Sequence, residues 1–185
     1  RVPKRCHHCP VCQHCVLKKD HHCFITGGCV GFANQRYFMV FLLYAFLAAS
    51  YGTLWTFRLL NHYFPVLWPW GWLNYFAPIA LTKWLTQPSY PFSLVLGSAM
   101  LSALWAGMCG SSGFLLAQMY CVITGKTLWE QVHCLEIRDG LTVAERFRSV
   151  FGPYWLINFI VPLPYKNKLP KGVASFAHAN YLKEL

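Results

Sequence analysis

Two long apolar stretches frame this chain. Tyr37 to Phe57 reads YFMVFLLYAFLAASYGTLWTF, without a single charge. As a helix it would cover roughly 30 Å, the thickness of a bilayer's hydrocarbon layer. Arg36 and Arg58 bracket it, so the pattern predicts a transmembrane helix over 37–58. A second uncharged run extends from Trp84 to Gly125. Its part from Phe92 to Ile123 predicts a second span over 92–123, with Gly110-Ser-Ser-Gly113 as an expected bend or close-packing site. Between the spans, residues 59–91 are aromatic and interrupted by Pro65, Pro69 and Pro78. Because proline breaks helices and Trp and Tyr favour the headgroup region, this stretch reads as a loop in the far interface. Beyond it, Val143, Phe147, Val150 and Phe151 recur at helical spacing with Glu145, Arg146 and Arg148 between them. That pattern predicts an amphipathic helix on the membrane surface within a 124–164 tail, stopped by Gly152-Pro153. Residues 165–185 read as a loose basic tail.

Composition and charge sharpen this picture. Of 185 residues, 56% are hydrophobic and 12% charged, far from the roughly 25% charged of a soluble domain. The net charge is +10, which raises nucleic acid as a partner, but the placement argues against it. Lys and Arg concentrate in residues 1–36 and from Lys126 onward, leaving only Arg58 and Lys83 between 37 and 90. Two spans return the chain to its starting side, so both basic ends share one face, as the positive-inside rule expects. The chain opens on Arg1 and reads as a fragment or a processed product.

Residues 6–29 carry the candidate chemistry: CHHCPVCQHCVLKKDHHCFITGGC, with six of the nine cysteines. Cys9-x2-Cys12 and Cys12-x2-Cys15 are overlapping CxxC knuckles. On a reducing cytosolic face these favour zinc over disulfides. Tetrahedral Zn(II) takes four sulfur or nitrogen ligands, and His8, His22 and Cys29 can complete such sites. Asp20-His21-His22-Cys23 adds the parts of thiol catalysis: a nucleophile, an adjacent base and an acid to orient it. By spacing alone, Cys23 is either that nucleophile or another zinc ligand.

Asp20-His21-His22-Cys23 resembles the signature of the DHHC protein S-acyltransferases, the palmitoyltransferases. Residues 7–38 are similar to the second half of that family's cysteine-rich domain, with a span directly after it. Gly125-Lys-Thr127-Leu-Trp-Glu130 is similar to its Thr-Thr-x-Glu motif, and Phe147-Arg-Ser-Val-Phe151-Gly152 to its C-terminal element. The resemblance implies Cys23 as nucleophile, His21 as base and Asp20 as orienting acid. It implies one structural zinc on Cys9, Cys12, His22 and Cys29. A second would rest on His8 and Cys15 with two cysteines expected before Arg1, for which Cys6 is a weaker substitute. Two further spans would also precede Arg1.

The implied fold is mainly α: a polytopic membrane protein with two visible transmembrane helices and a small zinc-stabilised Cys/His-rich domain, residues 1–36, on the cytosolic face. The implied activity passes a long-chain acyl group from palmitoyl-CoA through Cys23 to membrane-proximal cysteines of protein substrates, in an endomembrane or plasma-membrane bilayer. Lys18, Lys19 and Arg36 are candidates for the CoA phosphates or for lipid headgroups. Departures from the family pattern fall at Phe24-Ile25, Gly28, Leu128 and Arg146. A divergent, weak enzyme or a membrane-anchored zinc scaffold without chemistry are the alternatives.

Overall fold

The computed structural model describes residues 4–67, 69–137, 139–161 and 163; the expected tail 165–185 lies outside them. Four short strands precede the helices: β1 (Cys6–Cys9), β2 (His14–Leu17), β3 (His21–Cys23) and β4 (Gly28–Val30). The helices are α1 (Gln35–Tyr63), α2 (Ala77–Thr86), α3 (Phe92–Thr124), α4 (Leu128–Val132), α5 (Val143–Phe151) and α6 (Trp155–Ile160). They form two compact units. One takes in the chain to Phe41 and from Leu115 onward; the other is Leu42–Phe114.

In the first unit, β1 pairs antiparallel with β2, and β3 with β4. A bond from Asp20 N–H to the Val30 carbonyl (2.8 Å) extends the β3–β4 pairing, and one from Phe32 N–H to the Leu17 carbonyl (3.0 Å) ties the second hairpin to the first. Gly31 sits where a Cβ would come within 2.7 Å of Val16 Cγ1 and 2.9 Å of the Leu17 carbonyl, so only glycine lets the strands approach this closely.

Met39, Val122 and Phe151 are buried together, with Met119, Phe147, Val150 and Trp155 packed around them. The apolar stripe of the 143–151 helix, expected at the membrane surface, packs here on protein. An amphipathic stripe has one periodicity whether it faces lipid or protein, and here Phe147, Val150 and Phe151 face the ends of α1 and α3. Both short helices begin with capping boxes, Thr127 with Glu130 and Thr142 with Glu145, each satisfying two otherwise orphaned N–H groups. Arg146 caps the end of α3 by donating to the Ile123 carbonyl, and its guanidinium pairs with Asp139 at 2.7 Å. Gly125 ends α3 at φ 73°, and a Cβ there would lie 2.5 Å from Asp139 and 2.7 Å from Arg146.

In the second unit, α1 and α3 run antiparallel. Gly52 lies against Leu104, Gly97 against Leu60, and Gly107 against Ala49. Leu60, Leu94 and Leu101 form the buried seam. The helices also expose Leu47, Tyr51, Leu54, Trp55, Leu96, Met100 and Trp105, an apolar exterior suited to lipid. Helices α1 and α3 are each long and apolar enough to cross a membrane. Helix α3 is helical throughout, and among the described residues a Cβ at Gly110 or Gly113, the expected bend or close-packing site, would meet nothing within 4 Å. The 59–91 stretch is more ordered than a loop. Helix α1 continues to Tyr63, a 3-10 turn spans Gly71–Tyr75, and α2 follows. Pro78 sits in the first turn of α2, where a missing N–H costs no helical bond.

Candidate active site

Strand periodicity separates two kinds of chemistry on β3. Successive side chains on a strand point to opposite faces. His22 therefore faces one way, opposite Cys29 in register, while His21 and Cys23 share the other face.

On the first face, Cys9, Cys12, His22 and Cys29 bring their donor atoms within 4.8 Å of one another. The separations are 3.2 Å from Cys12 Sγ to His22 Nδ1, 3.7 Å from Cys9 Sγ and from Cys29 Sγ to the same nitrogen, and 3.6 Å between the Cys12 and Cys29 sulfurs. A zinc tetrahedron with bonds of about 2.3 Å to sulfur and 2.0–2.1 Å to nitrogen has edges of roughly 3.5–3.8 Å. The four side chains therefore fit a metal ion, and Cys23 is not one of them. His8 and Cys15 also meet across β1 and β2, Nδ1 to Sγ at 3.9 Å, with Cys6 in the same hairpin.

On the second face, His21 Nδ1 is 2.7 Å from Asp20 Oδ2. With Nδ1 held by a carboxylate, Nε2 is the nitrogen left to exchange a proton. The Asp20 hydrogen bond raises the His21 pKa against the effect of burial, and the neighbouring Cys23 raises it further. Burial pushes the Cys23 thiol up, but hydrogen bonds from Thr26, His21 and the Ile25 N–H outweigh it and bring the thiol down to about 7. A substantial thiolate fraction then exists near neutrality. The β3–β4 turn leaves Phe24 and Ile25, both 83% exposed, beside a thiol that is itself buried.

Asp20 is 2% exposed and fully engaged. Its Oδ1 accepts from Leu128 N–H at 2.7 Å, and its Oδ2 accepts from Gln118 Nε2 at 2.6 Å. At Leu128, where the chain departs from the Thr-Thr-x-Glu pattern, the bond to Asp20 comes from the backbone N–H. Glu130 is fully buried and takes both Arg5 Nε (2.7 Å) and Nη2 (2.6 Å). Trp129 is stacked between His7 (3.7 Å) and His133 (3.8 Å). Lys19 is buried, donates to the His8 carbonyl at 3.0 Å and lies over Trp129. Arg36 is buried and lies over Tyr37. Lys18, over Phe32, lines a cleft with Arg5, Lys126 and Arg146.

Burial raises the Glu130 carboxyl, but the Arg5 and Thr127 N–H bonds outweigh it and hold it low. A lowered folded value stabilises the fold above the ordinary carboxylate range and ceases to as pH falls through that lowered value. Glu130→Gln is expected to cost about 2 kcal/mol at neutral pH and to flatten the acid limb of stability. Thermal melts of both proteins across pH check this; identical melts would show the pair to be inert.

Comparison with known proteins decides the family. The model of the DHHC palmitoyltransferase family matches residues 1–135. This chain belongs to that family. Over 175 residues it is 32% identical to palmitoyltransferase ZDHHC22 of Rattus norvegicus, covering 88% of this chain and 62% of the rat protein. It is 33% identical over 161 residues to probable protein S-acyltransferase 14 of Arabidopsis thaliana, covering 84% of this chain and 47% of that protein. Over 45 residues, 24% of this chain and 14% of the relative, it is 62% identical to palmitoyltransferase ZDHHC15A of Danio rerio. The chain thus spans less than two thirds of the curated relatives' length. As a DHHC family member with two apolar helices of spanning length, it is a membrane protein.

Sequence reasoning assembled the Asp20-His21-Cys23 group but missed Gln118. The signal was present: an amide side chain inside an otherwise apolar span is costly unless it has partners. It also missed Arg5, whose partner Glu130 lies 125 residues away.

Proposed function

We propose that the chain is the catalytic part of a protein S-acyltransferase that carries a palmitoyl-length acyl group on Cys23. The observation that carries this reading is the separation on β3: Cys23 stands outside the four-donor cluster, on the face it shares with His21. The Cys23 thiolate attacks the carbonyl carbon of acyl-CoA. The carbon–sulfur bond to CoA breaks as the Cys23 thioester forms. His21, having taken the Cys23 proton, returns it to the departing CoA sulfur. In the second half, the thiol of a protein cysteine gives its proton to His21 and displaces Cys23, which leaves as thiolate. One thioester is exchanged for another twice, so no external energy source is required. Asp20 keeps the imidazole in the tautomer that leaves Nε2 available.

Zinc on Cys9, Cys12, His22 and Cys29 would supply rigidity to the loop and no open coordination position. His8 and Cys15, with ligands outside this chain, would form the second site. The active face is cytosolic, in a multi-pass endomembrane or plasma-membrane protein. There CoA stays in water while the acyl chain enters the bilayer or the helices, worth about 0.8 kcal/mol per buried CH2. Of the basic residues expected at the CoA phosphates, Lys18 is the one we carry forward, because it lines the cleft with Arg5, Lys126 and Arg146 while Lys19 and Arg36 are buried.

The full-length protein in nanodiscs, incubated with fluorescent palmitoyl-CoA and digested, is expected to carry a hydroxylamine-sensitive label on the peptide containing Cys23. Label confined to Cys109 or Cys134, both exposed, would overturn the reading.

A further inference from the structure

Gln118 lies in the last two turns of α3 and is 1% exposed. A carboxamide buried among apolar side chains is expensive unless both of its ends are used. Here both are. Its Nε2 donates to Asp20 Oδ2 at 2.6 Å, and its Oε1 accepts from Gln35 Nε2 at 3.1 Å. The direction is fixed by chemistry. An ionised Asp20 only accepts, so Gln118 must turn its NH2 group toward it. That leaves its oxygen to Gln35, the first residue of α1, which supplies a donor. The same Oδ2 takes His21 Nδ1 at 2.7 Å. Gln35, Gln118, Asp20 and His21 therefore form one directed chain of hydrogen bonds from two apolar helices to the imidazole beside Cys23.

We propose that Gln118 is a positioning residue for acyl transfer, with Gln35 supporting it from α1. Asp20 is joined to the helices by two bonds, Leu128 N–H on one oxygen and Gln118 on the other. A carboxylate held on one oxygen alone can rotate, and His21 rotates with it. Gln118 prevents this by fixing Oδ2, the oxygen that orients the imidazole. The inference rests on the acyl-transfer reading for its biological meaning, but its geometry is independent of that reading.

The test uses the full-length protein with Gln118→Met, Gln35→Met, Asp20→Ala and the double variant Gln118→Met/Asp20→Ala. Two rates are read: acylation of Cys23 by palmitoyl-CoA, and alkylation of Cys23 by iodoacetamide. Gln118→Met is expected to slow both by about tenfold, with an unchanged KM for palmitoyl-CoA, unchanged zinc content and an unchanged melt. Gln35→Met should do the same more weakly. In the Asp20→Ala background, Gln118→Met should add nothing, because its effect passes through Asp20. Should Gln118→Met lower the melt, the double-variant comparison still decides, since a packing defect would slow the Asp20→Ala protein further. Full rates in Gln118→Met, or losses that multiply with Asp20→Ala, would overturn the role. A wild type alkylated at Cys23 but never acylated would instead sink the acyl-transfer reading, and the alkylation arm would still decide on Gln118.

Discussion

Cys23→Ser is expected to abolish the thioester label on the full-length protein, a fall of at least about a thousandfold in acylation rate, while zinc content and melt stay at wild-type values. The two halves of this expectation have different physical sources. Acylation needs a group ionised near neutral pH, and the hydrogen bonds that bring Cys23 to about 7 do not make a serine hydroxyl a comparable anion. Metal content stays because the donor cluster is Cys9, Cys12, His22 and Cys29, and Cys23 faces the other side of β3. Gel fluorescence before and after hydroxylamine gives the first reading, and metal analysis by mass spectrometry gives the second. Persistent hydroxylamine-sensitive label would remove Cys23 from the mechanism. A parallel loss of metal would mean that its sulfur belongs to the zinc shell after all.

Cys12→Ala should fail in the opposite order: metal first, structure next, and activity as a consequence. Cys12 Sγ stands 3.2 Å from His22 Nδ1 and 3.6 Å from Cys29 Sγ, so it joins the β1–β2 hairpin to the β3–β4 hairpin. Strands of three or four residues have little stability of their own. Structural zinc sites, by contrast, contribute about 10–16 kcal/mol of apparent binding free energy in small domains. Removing one of four ligands is therefore expected to release close to one zinc per chain and lower the melt by more than 10 °C. Acylation should be lost although Cys23 remains. Chelation of the wild type should reproduce this, and zinc should reverse it. A variant that keeps its metal and its melt would refute the ligand set.

The spans were legible because an uncharged run of 21 residues has few soluble explanations, and because α3 carries no charge anywhere along its length. The capping box at Thr127 and Glu130 is legible for a local reason: four consecutive residues suffice to form it. The strands were not. Each of β1 to β4 is three or four residues long, too short for alternation to stand out. Yet the different fates of His21 and His22 follow only once β3 is extended, so the sequence left Cys23 between two roles. The 143–151 helix was found, but its apolar stripe does not say whether lipid or protein covers it. Proline breaks a helix only beyond its first turn, so Pro78, in the first turn of α2, breaks nothing. Gln118 and Arg5 act on partners about a hundred residues away, a distance at which no periodicity speaks.

The bond from the Leu128 amide to Asp20 has an evolutionary corollary. A grip supplied by main chain is indifferent to the letter at that site, so position 128 can drift through nineteen residues without loosening the acid. The twentieth is the exception. Proline would erase that N–H while suiting the first turn of α4, behind a Thr127 already extended at φ −77° and ψ 162°. The helix would survive and the bond to Asp20 Oδ1 would not, leaving the acid held by Gln118 alone: here a residue favourable to the fold is unfavourable to the chemistry.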